Sequence, residues 1–127
     1  MNGVTTYEKT FVPFLGAHPP LMESVTIASS GAARDLMAGT VLAVVTASGK
    51  LKELAPGASD GSQTPTHILA EDCSVPASGD LVAVAYTHCE ALDRGLVWPQ
   101  GITAPQKAAA IAALRDAGIF VTLNQPA

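Results

Sequence analysis

A chain of 127 residues has room for one hydrophobic core and not for two. Charged residues make up 14% of it against 48% hydrophobic ones, and the mean hydropathy is +0.30, so the surface is short of charge. That state is tolerated best where copies of the chain or a partner cover it, which makes oligomerisation the expectation. Seven basic and eleven acidic residues leave a net charge of -4, and Lys9, Arg34, Lys50, Lys52, Arg94, Lys107 and Arg115 are scattered without a phosphate-binding stripe, so no nucleic-acid partner is expected. The longest apolar runs, residues 81–86 and 108–114, fall far short of the roughly 20 residues that span a bilayer. No basic segment followed by an apolar stretch opens the chain, so the reading is a cytosolic product with no membrane partner. Cys73 and Cys89 are too few for a disulfide framework and are expected to be reduced.

The first 22 residues combine Pro13, Pro19, Pro20 and two glycines with Tyr7, Phe11, Val12, Phe14 and Leu15. The prolines block a helix, and the side chains are too apolar for an ordinary solvated tail, so the segment reads as an arm that orders on a partner. From Glu23 the pattern alternates, with Val25 and Ile27 on one side and Ser24, Thr26 and Ala28 on the other, as in a half-buried strand. After a break at Gly31, residues 34–38 read as a short helical turn, and residues 40–46 as a β-branched and aliphatic strand. Ala47-Ser48-Gly49 is a tight turn that would return residues 50–54 as the second strand of a hairpin.

Residues 55–66, with two prolines, two glycines and five Ser, Thr or Asp side chains, read as a surface loop. Residues 67–70 suggest a short strand, 73–80 a turn-rich connection, and 81–86 a strand apolar on both sides and hence central. The C-terminal helix is signalled at both ends. Thr103 and Gln106 form a capping box around Ala104 and Pro105, and Gly118 stands where a left-handed cap is needed, with Ile119 able to fold back on Leu114. Ile111 and Leu114 mark the predicted buried stripe, while Ala108, Ala109, Ala110, Ala112 and Ala113 keep the helix slim enough to lie close to a sheet or a neighbouring subunit. Residues 119–123 close the chain as a last strand.

His67, Cys73, His88 and Cys89 are the candidates for a metal site, but there is no CxxC or HxxxH pair. Adjacent residues such as His88 and Cys89 face opposite sides of a strand, so no metal is expected. A nucleophile at Cys89 or Cys73 would need an imidazole and an orienting group that the spacing does not supply, whereas a free cysteine is a good core residue. Glu71, Asp72 and Asp80 flank strands, as solvated edges do. With no G-x-S-x-G, G-x-G-x-x-G or phosphate-loop pattern, neither a catalytic residue nor a cofactor is expected. Trp98, the only tryptophan, stands beside Pro99 as a core anchor or an interface contact.

Several pieces occur in one order: Glu-Ser-Val-Thr-Ile-Ala-Ser at 23–29, Gly-Thr-Val-Leu at 39–42 with a Gly-Lys turn at 49–50, and Ile-Leu-Ala-Glu-Asp at 68–72. A strand ending at Tyr86, Gly-Leu-Val-Trp-Pro at 95–99 and Leu-Arg-Asp-Ala-Gly-Ile at 114–119 complete the set. Together they resemble the lambda-type bacteriophage head decoration proteins over roughly residues 22–121. The resemblance implies a compact, strand-rich α+β domain at 23–127 with a C-terminal helix, an extended capsid-binding arm at 1–22, and a homotrimer. It further implies a place on the outer surface of the phage head, at local threefold axes of the expanded capsid, after assembly in the host cytoplasm. The major capsid protein is then the partner, the arm residues Tyr7, Phe11, Val12, Phe14 and Leu15 its contacts, and resistance to the pressure of packaged DNA the function, with no enzymatic activity. His88-Cys89 and the prolines at 19 and 20 depart from the family's pattern. A module displaying residues 55–66 to a host ligand and a small enzyme using Cys89 are the competing readings.

Overall fold

A computed structural model describes residues 20–123. Its elements are β1 (Leu21–Ile27), β2 (Arg34–Leu36), β3 (Val41–Val44), β4 (Leu51–Glu53), β5 (Pro65–Leu69), β6 (Cys73–Val75), β7 (Leu81–Leu92), α1 (Ala104–Ala117) and β8 (Ile119–Thr122). This is a small strand-rich single domain with one C-terminal helix. The main sheet runs β1-β4-β3-β5-β7-β8, and β1 also pairs with β7, so the first five strands close into a ring. The ring is joined most lightly between β1 and β4, by the single parallel pair Ile27 and Leu51. β2 and β6 form a separate antiparallel ribbon.

Strand β7 organises the interior. Met22 lies opposite Tyr86 but Leu21 lies opposite His88, so Thr87 is an extra residue and β7 bulges there. Because side chains alternate along a strand, one extra residue reverses the phase. Before the bulge, Ala85 faces a cluster of Val25, Ile27, Leu36, Leu42, Leu51, Leu69 and Val75. Tyr86, on the other face, and then Cys89 and Ala91 beyond the bulge join a second cluster with Val41, Leu54, Ile68, Leu96, Ala110, Leu114 and Ile119. One strand thus serves both cores.

The helix is capped as its sequence predicts. Thr103 Oγ1 accepts from the Gln106 N–H at 3.2 Å, and Gln106 Oε1 accepts from the Thr103 N–H at 3.0 Å. Gly118 takes φ 102° with its N–H returned to the last turn, and Leu114 and Ile119 are both fully buried in one cluster. The chain then runs parallel to β7, from Cys89 opposite Ile119 to Leu92 opposite Thr122. The buried stripe is Ala110 and Leu114, with Ile111 only half-buried, because alanine lets the backbone approach the sheet closely.

Five expectations are corrected. Residues 34–36 form a strand and not a helical turn, since Leu36 and its partner strand's Val75 bury in the first cluster while Asp35 Oδ1 accepts from the Ser74 hydroxyl at 2.7 Å on the outer side. Residues 73–75, read as part of a connection, supply that partner strand. β7 continues past Tyr86 to Leu92, and β1 begins at Leu21, two residues before Glu23. The loop 55–66 is not all surface, because Ser62 is fully buried with its N–H bonded to Asp60 Oδ1 at 3.0 Å, and Pro65 is buried at the start of β5. No helix among the described residues is long and apolar enough to cross a membrane, and the Trp98–Pro99 bond is trans.

Candidate functional site

Tyr7, Phe11, Val12, Phe14 and Leu15 lie outside the described residues. The described chain reaches β1 through Pro20, and the first strand residues are strongly exposed, Leu21 at 60% and Met22 at 56%. One edge of β1 pairs with β7 along its length, and among the described residues the other edge meets a strand only at Ile27. Val82, at 71% exposure, stands opposite Thr26 on the same sheet face as Ser24 and Met22. An uncharged row therefore begins at the N-terminal end of β1, and an open strand edge beside such a row is suited to pairing with another chain. Across β7, Glu23 Oε2 meets His67 Nε2 at 2.8 Å, and His67 Nδ1 is 2.7 Å from Thr66 Oγ1.

Trp98 is half-buried against the second cluster. Its Nε1–H donates to Asp93 Oδ1 at 2.8 Å, while Lys107 Nζ donates to the same carboxylate at 3.0 Å and lies 5.3 Å from the indole centroid. The indole thus ties the 3-10 turn Asp93–Gly95 to the first turns of α1. With Pro99, Val97, Leu36, Met37 and Thr40 it lines a cavity of about 160 Å³, below the roughly 300 Å³ at which ligand pockets begin.

The chemistry-bearing residues are dispersed. Cys89 is fully buried, and burial pushes its thiol up to about 11, which leaves almost no thiolate for nucleophilic attack. Burial also raises the half-buried Cys73, and both thiols are free. His88 meets Phe120 edge to face at 6.0 Å. Among the described residues, no three His, Cys, Asp or Glu side chains gather as metal ligands would. The strand-flanking acids act as turn ties: Asp72 Oδ1 accepts from the Ala38 N–H at 2.8 Å, and Asp80 Oδ1 from the Ser29 N–H at 3.1 Å. The loop 55–66 is anchored at both ends of its turn, by Thr46 N–H to the Asp60 carbonyl at 2.9 Å and Ala55 N–H to the Ser62 carbonyl at 2.8 Å, which speaks against a free display loop.

Sequence reasoning missed the bidentate pair between Arg34 and Glu53, at 2.8 and 2.9 Å, with a further bond from Arg34 to the Ala28 carbonyl. Burial pushes the Glu53 carboxyl up, but the hydrogen bonds and charge of Arg34 outweigh it and hold Glu53 below its ordinary value; the same bond raises Arg34. Nothing local in the sequence joins positions 19 apart on β2 and β4.

The family model described as bacteriophage lambda head decoration protein D matches residues 6–119. Comparison with curated proteins gave no match.

Proposed function

The chain belongs to the bacteriophage lambda head decoration protein D family, and with a structural role on the phage capsid as the premise we propose that it binds as homotrimers at local threefold axes of the expanded head and braces the shell against packaged DNA. The observation that carries this reading is the family match itself, which covers residues 6–119. The charge-poor composition and the exposed Leu21, Met22 and Val82 support it, since both leave surface for copies and capsid to cover. The arm, through Tyr7, Phe11, Val12, Phe14 and Leu15, adds a strand to the major capsid protein, and trimer avidity multiplies that contact. Trp98 and Pro99 serve the body as an anchor.

Titration onto expanded, undecorated heads tests the reading. Saturation at one trimer per threefold site is expected. Deleting residues 1–20 should leave the melting temperature of the free protein unchanged and remove most of the binding, because even about 2 kcal/mol per arm compounds over three arms into several orders of magnitude. Absence of saturable binding by the full chain would overturn it, and a monomer in native mass spectrometry at micromolar concentration would count heavily against a trimer already formed in solution.

A further inference from the structure

The bridge between Glu23 and His67 is placed where the arm leaves the body. In register, Glu23 and Leu69 both stand opposite Ala85, on the two edges of β7. The contact from β1 to β5 therefore crosses the central strand beside a small side chain and close to the extra residue Thr87. His67 is the fixed post, with 12% of its side chain exposed and both ring nitrogens engaged, while Glu23, at 54%, reaches in from the strand end. β1 is weakly held there: its ladder to β7 shifts register between Leu21 and Met22, and its other edge is unpaired from Leu21 to Thr26 among the described residues. The Thr87 hydroxyl also donates to the Leu21 carbonyl at 3.4 Å.

We propose that the Glu23–His67 bridge is a positioning device that holds the first residues of β1 on the body and so sets the direction in which residues 1–20 depart. The arms of an assembly then present themselves to the capsid in one common geometry. This rests on the reading that the arm carries attachment. A half-exposed side-chain hydrogen bond contributes little to global stability, but opening of a strand end is decided by terms of that size, and ordering lost at each arm is felt at every arm of a multivalent contact.

Glu23→Ala and Glu23→Gln in the full-length chain test the proposal, beside a chain lacking residues 1–20. In Glu23→Ala, the protected amides among residues 22–26 should exchange up to about fivefold faster in the free protein, with the melting temperature within about 2 °C of the parent. Binding to undecorated heads should weaken by roughly tenfold. Glu23→Gln keeps an oxygen that accepts from the imidazole N–H, and should restore most of both. If the armless chain loses binding while Glu23→Ala matches the parent in exchange and affinity, the bridge positions nothing. Equal loss of binding in Glu23→Ala and Glu23→Gln with unchanged exchange would also sink it, by showing that the carboxylate touches the capsid itself. Should the armless chain bind normally, the attachment reading fails instead, and the exchange rates alone decide whether the bridge holds the strand end.

Discussion

Gly61→Ala is the substitution with the most sharply defined consequence. Gly61 sits at φ +106°, and a Cβ added there would lie 2.6 Å from the Val44 carbonyl oxygen and 2.9 Å from the Thr46 nitrogen, and closer still to Thr46 Oγ1. Two of these three atoms are backbone at the end of β3, where the Thr46 N–H is bonded to Asp60, so neither can swing aside as a flexible side chain would. An alanine forced to this φ costs about 1–2 kcal/mol, and wedging a methyl against packed backbone about 1–3 more, which makes on the order of 3 kcal/mol the central expectation. In a domain of this size that is a drop of roughly 10 °C in the melting temperature. Gly57→Ala in the same loop is the control: nothing lies within 4 Å of its added Cβ and its φ is not in the left-handed range, so it should fall within about 0.5 kcal/mol of the parent. Both melts are followed by circular dichroism at one protein concentration, because self-association would otherwise move the midpoint. A Gly61→Ala protein melting within about 2 °C of Gly57→Ala would refute the reasoning, and would mean that the turn relaxes freely around Thr46.

Two further outcomes follow from the buried groups. At about pH 8, iodoacetamide should modify Cys73 faster than Cys89, whose reaction should wait for unfolding; labelling of both at similar rates in the native protein, read by mass spectrometry, would show that the second cluster opens readily. Glu53, held below its ordinary value of 4.5 by Arg34, contributes stability that is complete above that value and lost as pH falls through the lower folded one. The deficit of Glu53→Gln relative to the parent, measured by urea denaturation, should therefore be largest near neutrality and shrink in acid, and a deficit constant down to about pH 2 would contradict the ion pair.

The parts of the fold legible in the sequence are those whose chemistry is local. Thr103 and Gln106 are three residues apart and satisfy each other, and Gly118 is the residue that its left-handed cap requires, so both ends of α1 could be read directly. The β3–β4 hairpin was equally visible, since the turn at residues 47–49 joins strands that pair immediately. β2 and β6 were not, because three-residue strands show no period and each depends on a partner 37 to 41 residues away. The length of β7 was hidden by its own bulge: Thr87, His88 and Glu90 interrupt the apolar run, and the reversal of phase makes Cys89 and Ala91 look out of step with Tyr86, whose cluster they share. At the candidate site, composition singled out residues 1–22 and rarity singled out Trp98, but Glu23–His67 and Arg34–Glu53 are contacts between strands, and no spacing along the chain announces them.

The pairing of β1 with β7 also bears on how the chain is made. Ile27 pairs with Leu81 and Met22 with Tyr86, so β1 must wait for more than fifty further residues before its main partner exists. At the usual 5–20 residues per second of synthesis, that is an interval of roughly 3–10 seconds. During it Val25, destined to be buried, has no partner strand and Ile27 can meet only Leu51 of β4, while the apolar residues 11–15 ahead of them have already emerged. The nascent chain is then at its most vulnerable to chaperones and to pairing with other nascent copies, and β7 is the segment whose arrival ends that exposure.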